Sequence, residues 1–193
     1  MISVKDGMIK KSIKMMGDNP THTFFAITIR PYITFMKMFD RFPTNTRHIV
    51  GVSITENLIA KYNSHLISQP NKPKNHHLRI IHHDAIEEKD RYGSYEEPHS
   101  HGVWGIHNSL LDKWNDERFH DRIKELGSFQ YKHKSYPLSN VIHSVWWKPF
   151  HSNLIAKTYP EGWLSYAYKW CADEDDESSW RFIESTGANN YAS

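Results

Sequence analysis

HLRIIHHDAIEEKDRYGSYEEPHSHGVWGIH, residues 77–107, decides the fold. Apolar runs at 77–87 and 98–107 flank the polar, glycine-containing connection EKDRYGSYEE, a pattern that predicts a long antiparallel hairpin. Side chains alternate faces along a strand, so His99 and His101 share one face. Ser100, Gly102, Trp104 and Ile106 point to the other, with Trp104 and Ile106 packing. The facing strand admits two registers, because a slip of one residue exchanges every face. Either His83 and Glu87 join the histidine face, or His82 and Asp84 do.

Outward from the hairpin, TFFAITIR at 23–30 is short, apolar and rich in β-branched and aromatic residues, and Pro31 stops it. It predicts a buried strand. SITE at 53–56 has the form of a capping box and predicts a helix over 53–67, with Leu58, Ile59, Tyr62 and Leu66 on one stripe. SLLD opens a second helix over 109–126, where Leu111, Trp114, Arg118, Arg122 and Leu126 recur at helical spacing and Phe119 and Ile123 widen the apolar stripe. NVIHSVWW, 140–147, predicts a strand, and Pro160 marks the first turn of a last helix to about residue 172. The order β, α, β, β, α, β, α favours an α+β sandwich over a doubly wound parallel sheet.

Composition narrows the function classes. The chain has 193 residues, 26 aromatics, 14 histidines and one cysteine. That length is enough for one core without disulfide or metal staples, so a bound metal would be functional. Lone Cys171 excludes an intramolecular disulfide, Cys-pair zinc sites and CxxC redox chemistry, and points to a reducing compartment, the cytoplasm. Residues 1–20 carry too many lysines for a secretory signal, and no run of 18 apolar residues predicts a membrane span. The formal net charge of +2 hides an asymmetry: residues 1–172 hold 23 bases and 16 acids, net +7, and DEDDE at 173–177 begins an acidic end. A basic, aromatic-rich body suits nucleic acid, with Lys and Arg on phosphates and aromatic rings on unpaired bases.

Half of the histidines (His76, His77, His82, His83, His99, His101 and His107) fall in 32 residues. His99 and His101 have the spacing of two imidazole ligands to one divalent cation. Glu87 is the preferred third ligand, because a hard cation such as Mg2+ or Mn2+ favours a carboxylate; His83, His82 and Asp84 remain open. On the last helix Trp163, Leu164, Ala167, Trp170 and Cys171 form the apolar face. Tyr166 and Lys169 share another flank, and Tyr168 falls off the stripe on the opposite side. A tyrosine beside a cation can serve as a nucleophile, because positive charge favours the phenolate.

FFAITIRP (24–31), PHSHGVWGI (98–106) and YAYK (166–169) occur in an order that resembles the rolling-circle replication initiators of the HUH endonuclease superfamily. The resemblance covers roughly residues 22–173, and Ser100 departs from it where the family has a hydrophobe. It implies a central antiparallel sheet of ferredoxin or RRM-like type, with helices mainly on one face and the metal site on the other. The domain would span 21–173, after an N-terminal extension, 1–20, and before an acidic tail, 174–193.

The implied activity is site-specific nicking and rejoining of single-stranded DNA at a replication origin, presented in a hairpin. Tyr166 would form a 5′-phosphotyrosine and Lys169 would offset charge near the phenolate or phosphate; His99, His101 and Glu87 would hold Mg2+ or Mn2+. The protein would be encoded by a plasmid, phage or small virus. No GxxxxGK[ST] loop is present, so helicase and polymerase would be separate proteins. Lys132, His133, Lys134, Arg118 and Arg122 are candidates for phosphate contacts, and Tyr131, Trp146 and Trp147 for base stacking. Residues 173–177 read either as a solvated helix end or as a cover competing with DNA. The alternatives are a single-strand transposase of the same superfamily, a non-catalytic nucleic-acid-binding domain, and a phosphoesterase that uses water.

Overall fold

The apolar run at 23–30 forms strand β1 (His22–Pro31), buried continuously from Phe24 to Ile29 in a computed structural model that describes residues 3–40, 46–89, 95–150, 159–169 and 180–184. Continuous burial means that both faces of β1 are covered. Pro31 has no N–H to donate, and the pairing register shifts between Arg30 and Pro31.

Before β1 lies helix α1 (Val4–Asp18), whose first turn is capped by Ser3 accepting from the Asp6 amide. After it come a short helix α2 (Ile33–Met36) and the long α3 (Thr46–Leu66). The hairpin strands are β2 (Ile81–Lys89) and β3 (Tyr95–His107). Helices α4 (Leu111–Trp114) and α5 (Glu117–Leu126) follow, then a small hairpin of β4 (Ser128–Tyr131) and β5 (Lys134–Pro137). A turn of helix α6 (Leu138–Val141), strand β6 (Ile142–Pro149), helix α7 (Tyr159–Ala167) and strand β7 (Trp180–Glu184) complete the described chain.

The sheet has the order β6-β1-β3-β2-β7, and every neighbouring pair is antiparallel. The α+β class and the antiparallel hairpin are as the sequence predicts. One face carries Phe25, Ile27, Ile29, Trp104 and Ile106, packed on Val50, Ile54, Leu58 and Tyr62 of α3 and on Trp114, Phe119 and Ile123. Full burial of side chains such as Phe25, Ile27, Ile54 and Leu58 contributes about 1.5–3 kcal/mol each. The other face carries Phe24, Ala26, Ile81, Ala85 and Val103 under α1 and α7. Helices therefore cover both faces, the larger set opposite His99 and His101.

Several boundaries differ from the sequence reading, each for a tertiary reason. Helix α3 starts seven residues before Ser53, because His48, Val50 and Gly51 are buried, with Gly51 close to Ile86 and Pro98, and this packing overrides the local capping signal. Pro73 opens a 3-10 turn, Pro73–Leu78, that contains His77 and delays β2 to Ile81. The helix expected over 109–126 breaks at Asn115–Asp116, where Asp116 caps α5 by accepting from the Arg118 amide. Leu126 ends up 68% exposed.

The β4–β5 hairpin turns at Lys132, φ 53°, without the Gly or Asn that advertises such a turn. Residues 1–20, read as an extension, supply α1 to the core, and residues 174–193, read as an acidic tail, supply β7 to the sheet. The turn at 90–94, Cys171 and the acidic run at 173–177 lie outside the described residues. Among the described residues no helix is long and apolar enough to cross a membrane.

Candidate functional site

The register of β2 on β3 selects among the ligand candidates. Glu87 pairs with His99 and Ala85 with His101, so Glu87, His99 and His101 share one face. Glu87 Oε1 lies 3.2 Å from His99 Nε2 and 2.8 Å from His101 Nε2, and the two imidazoles meet at 88° with centroids 4.9 Å apart. All three residues are buried, and their ligand atoms lie within 4.8 Å of one another. Among the described residues this is the only such group of three. His83 shares the face, and its Nδ1 is hydrogen-bonded to Ser12 Oγ at 2.9 Å. His82 and Asp84 point to the opposite face.

The group could hold a divalent cation. Glu87 Oε2 is buried without a hydrogen-bond partner, an arrangement that a bound ion would satisfy and that is costly without one. Burial alone would raise the Glu87 carboxyl. The close imidazoles of His101 and His99, with the Lys169 ammonium, outweigh it and hold the group down at about 2. His101 is pushed below its ordinary value, first by burial and also by the charges of His99 and Lys169, against the pull of Glu87. A carboxylate facing a neutral imidazole is the protonation state a divalent cation needs. Thr28 of β1, paired with His101 in the sheet, hydrogen-bonds His101 Nδ1 at 2.8 Å through Oγ1. In the tautomer where this hydroxyl accepts from Nδ1–H, Nε2 is the nitrogen left to a cation.

Tyr166 and Lys169 come together beside this group. Tyr166 is 46% exposed, and its ring lies 5.1 Å from the His101 ring. Lys169 sits in the turn after α7, with Nζ 4.2 Å from the Tyr166 ring centroid and donating to Glu87 Oε1 at 2.9 Å. It therefore touches both the ring face and the carboxylate. Tyr168 departs from the helical-wheel reading. The helix ends at Ala167, and Tyr168 turns into the core, where its hydroxyl is hydrogen-bonded to Ser12 Oγ at 2.9 Å. Ser12 therefore ties α1 to β2 through His83 and to the end of α7 through Tyr168.

The departure at Ser100 has a local cause. Ser100 Oγ and Trp104 Nε1 both donate to the fully buried Asp84 carboxylate, at 3.2 Å and 3.0 Å, and His82 Nδ1 lies 2.8 Å from its other oxygen. A polar network occupies the face where a hydrophobe was expected. Gly102 makes room for it: a Cβ there would overlap Asp84 Oδ1 and come within 2.5 Å of the His83 carbonyl.

The expected nucleic-acid contacts separate into groups. Trp146 is 47% exposed on the Thr28 face, 5.7 Å from Trp163, which donates through Nε1 to the Gly102 carbonyl and lies 5.6 Å from both Tyr166 and His101. Trp147 instead packs inward on Phe25, Trp114 and His120. Arg118 and Arg122 are exposed on α5, on the opposite side of the sheet from Glu87, His99 and His101. Lys132, His133 and Lys134 are exposed at the β4–β5 turn beside Tyr131.

Thr28, Trp163 and Ser12 escape the sequence reading as working parts, and Asp84, read as a possible third metal ligand, instead holds the Ser100–Trp104 network on the opposite face. Only Thr28 had a visible signal, an alternating position on the strand FFAITIRP. The chain matches no protein-family model, no curated protein and no solved structure at a significant level.

Proposed function

We propose that the protein nicks and rejoins single-stranded DNA through Tyr166, at the origin of a rolling-circle replicon. The observation that carries this reading is a half-exposed tyrosine 5.1 Å from a histidine of a buried Glu-His-His group, with a lysine in contact with both the tyrosine ring and the carboxylate. Glu87, His99 and His101 would hold Mg2+ or Mn2+, which would supply Lewis-acid polarisation of the scissile phosphate. Thr28 fixes the ring of His101. Trp146 and Trp163 offer a stacking surface beside the site for bases that flank the scissile bond.

Tyr166 Oη, half exposed, gives up its proton to solvent water and attacks phosphorus. The P–O3′ bond breaks, the departing oxygen takes a proton to become a 3′-hydroxyl, and the 5′-phosphate stays on Tyr166. Lys169 lies where it can turn toward negative charge on the phenolate. Attack by a 3′-hydroxyl on the phosphotyrosine reverses the step and reseals DNA without a nucleotide cofactor. Strand separation and synthesis fall to a separate helicase and polymerase.

End-labelled single-stranded DNA incubated with the protein and Mn2+ tests the reading. It expects equal amounts of a free 3′-hydroxyl fragment and a protein-linked 5′ fragment. A free 5′-phosphate as the first product would indicate attack by water, and intact DNA under every condition would leave a binding domain.

A further inference from the structure

We infer a second nucleic-acid site, away from the metal group, that holds one unpaired nucleotide of a single strand between the β4–β5 hairpin and the segment after α2. A cleft of about 670 Å³ lies there, lined on one side by Lys37, Phe39 and Asp40 and on the other by Tyr131, Lys132, Lys134 and Tyr136. Its size falls in the range of small-ligand sites, roughly 300–1,000 Å³.

The floor is aromatic and anchored. Tyr131 lies 6.3 Å from Phe129 at 19° and 5.1 Å edge-on from Phe39, while Tyr136 abuts Phe35 at 5.2 Å. Phe35, Phe39 and Phe129 belong to the buried core, so the tyrosines are held in place. The rim is basic: Lys37, Lys132 and Lys134 face a single acid, Asp40, and Lys132 Nζ sits 5.6 Å from the Tyr131 ring.

An unpaired nucleotide uses both parts, its base on the tyrosines and its phosphates on the lysines. An acidic peptide would use the lysines and leave the aromatic floor uncovered, and a duplex keeps its bases stacked inside. Strand β5 runs through α6 directly into β6, the edge strand that presents Trp146, so one strand of DNA can pass from the metal face around this edge. The inference rests on the proposal that single-stranded DNA is the substrate, and it adds where DNA away from the scissile bond is gripped.

The test uses the full chain in EDTA with a 15-residue oligothymidylate carrying 5-iodouracil. Irradiation followed by peptide mass spectrometry is expected to place a cross-link on Tyr131 or Tyr136. Lys132→Ala/Lys134→Ala, confined to an exposed turn, is expected to lower the slope of log Kd against log salt by about 1.4, or about 0.7 for each phosphate no longer neutralised. Tyr131→Leu is expected to weaken binding at least about fivefold. Cross-links confined to other segments, an unchanged salt slope in the double variant, or hexaglutamate binding as tightly as the oligonucleotide would each overturn the inference. Cross-linking at Tyr131 in a protein that forms no covalent adduct with Mn2+ present would sink the nicking reading and keep this site. An adduct without these cross-links would do the reverse.

Discussion

Replacing Asp84 with alanine removes the acceptor that orders the interior of the β2–β3 hairpin. Its carboxylate is fully buried and takes hydrogen bonds from Trp104 Nε1 and Ser100 Oγ, with His82 Nδ1 alongside. Alanine leaves the buried indole N–H and the buried hydroxyl without this acceptor, at about 1–3 kcal/mol each, and the total cost comes to about 3–5 kcal/mol. That is a large share of a typical stability of about 5–15 kcal/mol. An asparagine in the same place keeps one oxygen for Trp104 and Ser100, so Asp84→Asn should cost only about 1–2 kcal/mol. Urea denaturation followed by tryptophan fluorescence measures both; at a slope near 2 kcal/mol/M, the alanine midpoint falls by about 1.5–2.5 M. Ser100→Val, which puts a hydrophobe in this place, should destabilise too by setting a methyl against the carboxylate. An alanine variant within about 1 kcal/mol of the parent would refute the idea that this network organises the hairpin.

Other outcomes follow from the same geometry. Gly102→Ala should yield no soluble protein or a protein whose Glu87–His99–His101 group is displaced, because one obstacle to the new Cβ is backbone, the His83 carbonyl; a circular dichroism spectrum and Mn2+ affinity unchanged from the parent would contradict this. Acid should destabilise the fold in two windows. His22 is lowered to about 4, chiefly by burial and then by His107, so the unfolded chain takes up its proton first and stability falls from about pH 6.5 to 4. Glu87, held at about 2, adds stability that is present above about pH 4.5 and lost from there down to pH 2. His22→Gln should make the upper window of a plot of urea midpoint against pH shallower, with the lowered His101 keeping part of the slope; a parallel curve would count against it. Mn2+ at a hundredfold excess over its Kd should stabilise the protein by about 2.7 kcal/mol in thermal melts, and Glu87→Gln should lose most of that gain.

The hairpin, the central strand and the shared face of His99 and His101 are legible because they depend on short-range periods, whereas the register that brings Glu87 to them is left open by those periods and shown by the structure. A two-residue repeat puts His99 and His101 together, and the chemistry of hard cations prefers Glu87 to His83. Long-range register is not legible in this way. Thr28 meets His101 across 73 residues, and Ser12 meets Tyr168 across 156. Helix α1 lacks a strong apolar stripe and is held by few buried side chains, Met8 and Ser12 among them, so its lysines read as an extension. Tyr168 misleads the helical wheel because the helix ends one residue earlier. Strand β7 is five residues long beside an acidic run, where composition speaks for solvent.

The most direct test of the central claim is to trap the protein on single-stranded DNA with Mn2+, denature it, digest both partners and locate the attached nucleotide by tandem mass spectrometry. The account expects a phosphodiester on Tyr166, absent in Tyr166→Phe, His99→Ala and His101→Ala, and retained in Tyr168→Phe, where losing the hydrogen bond to Ser12 costs only about 1 kcal/mol of stability. A nucleotide on any other side chain, or an adduct that survives Tyr166→Phe, would contradict it.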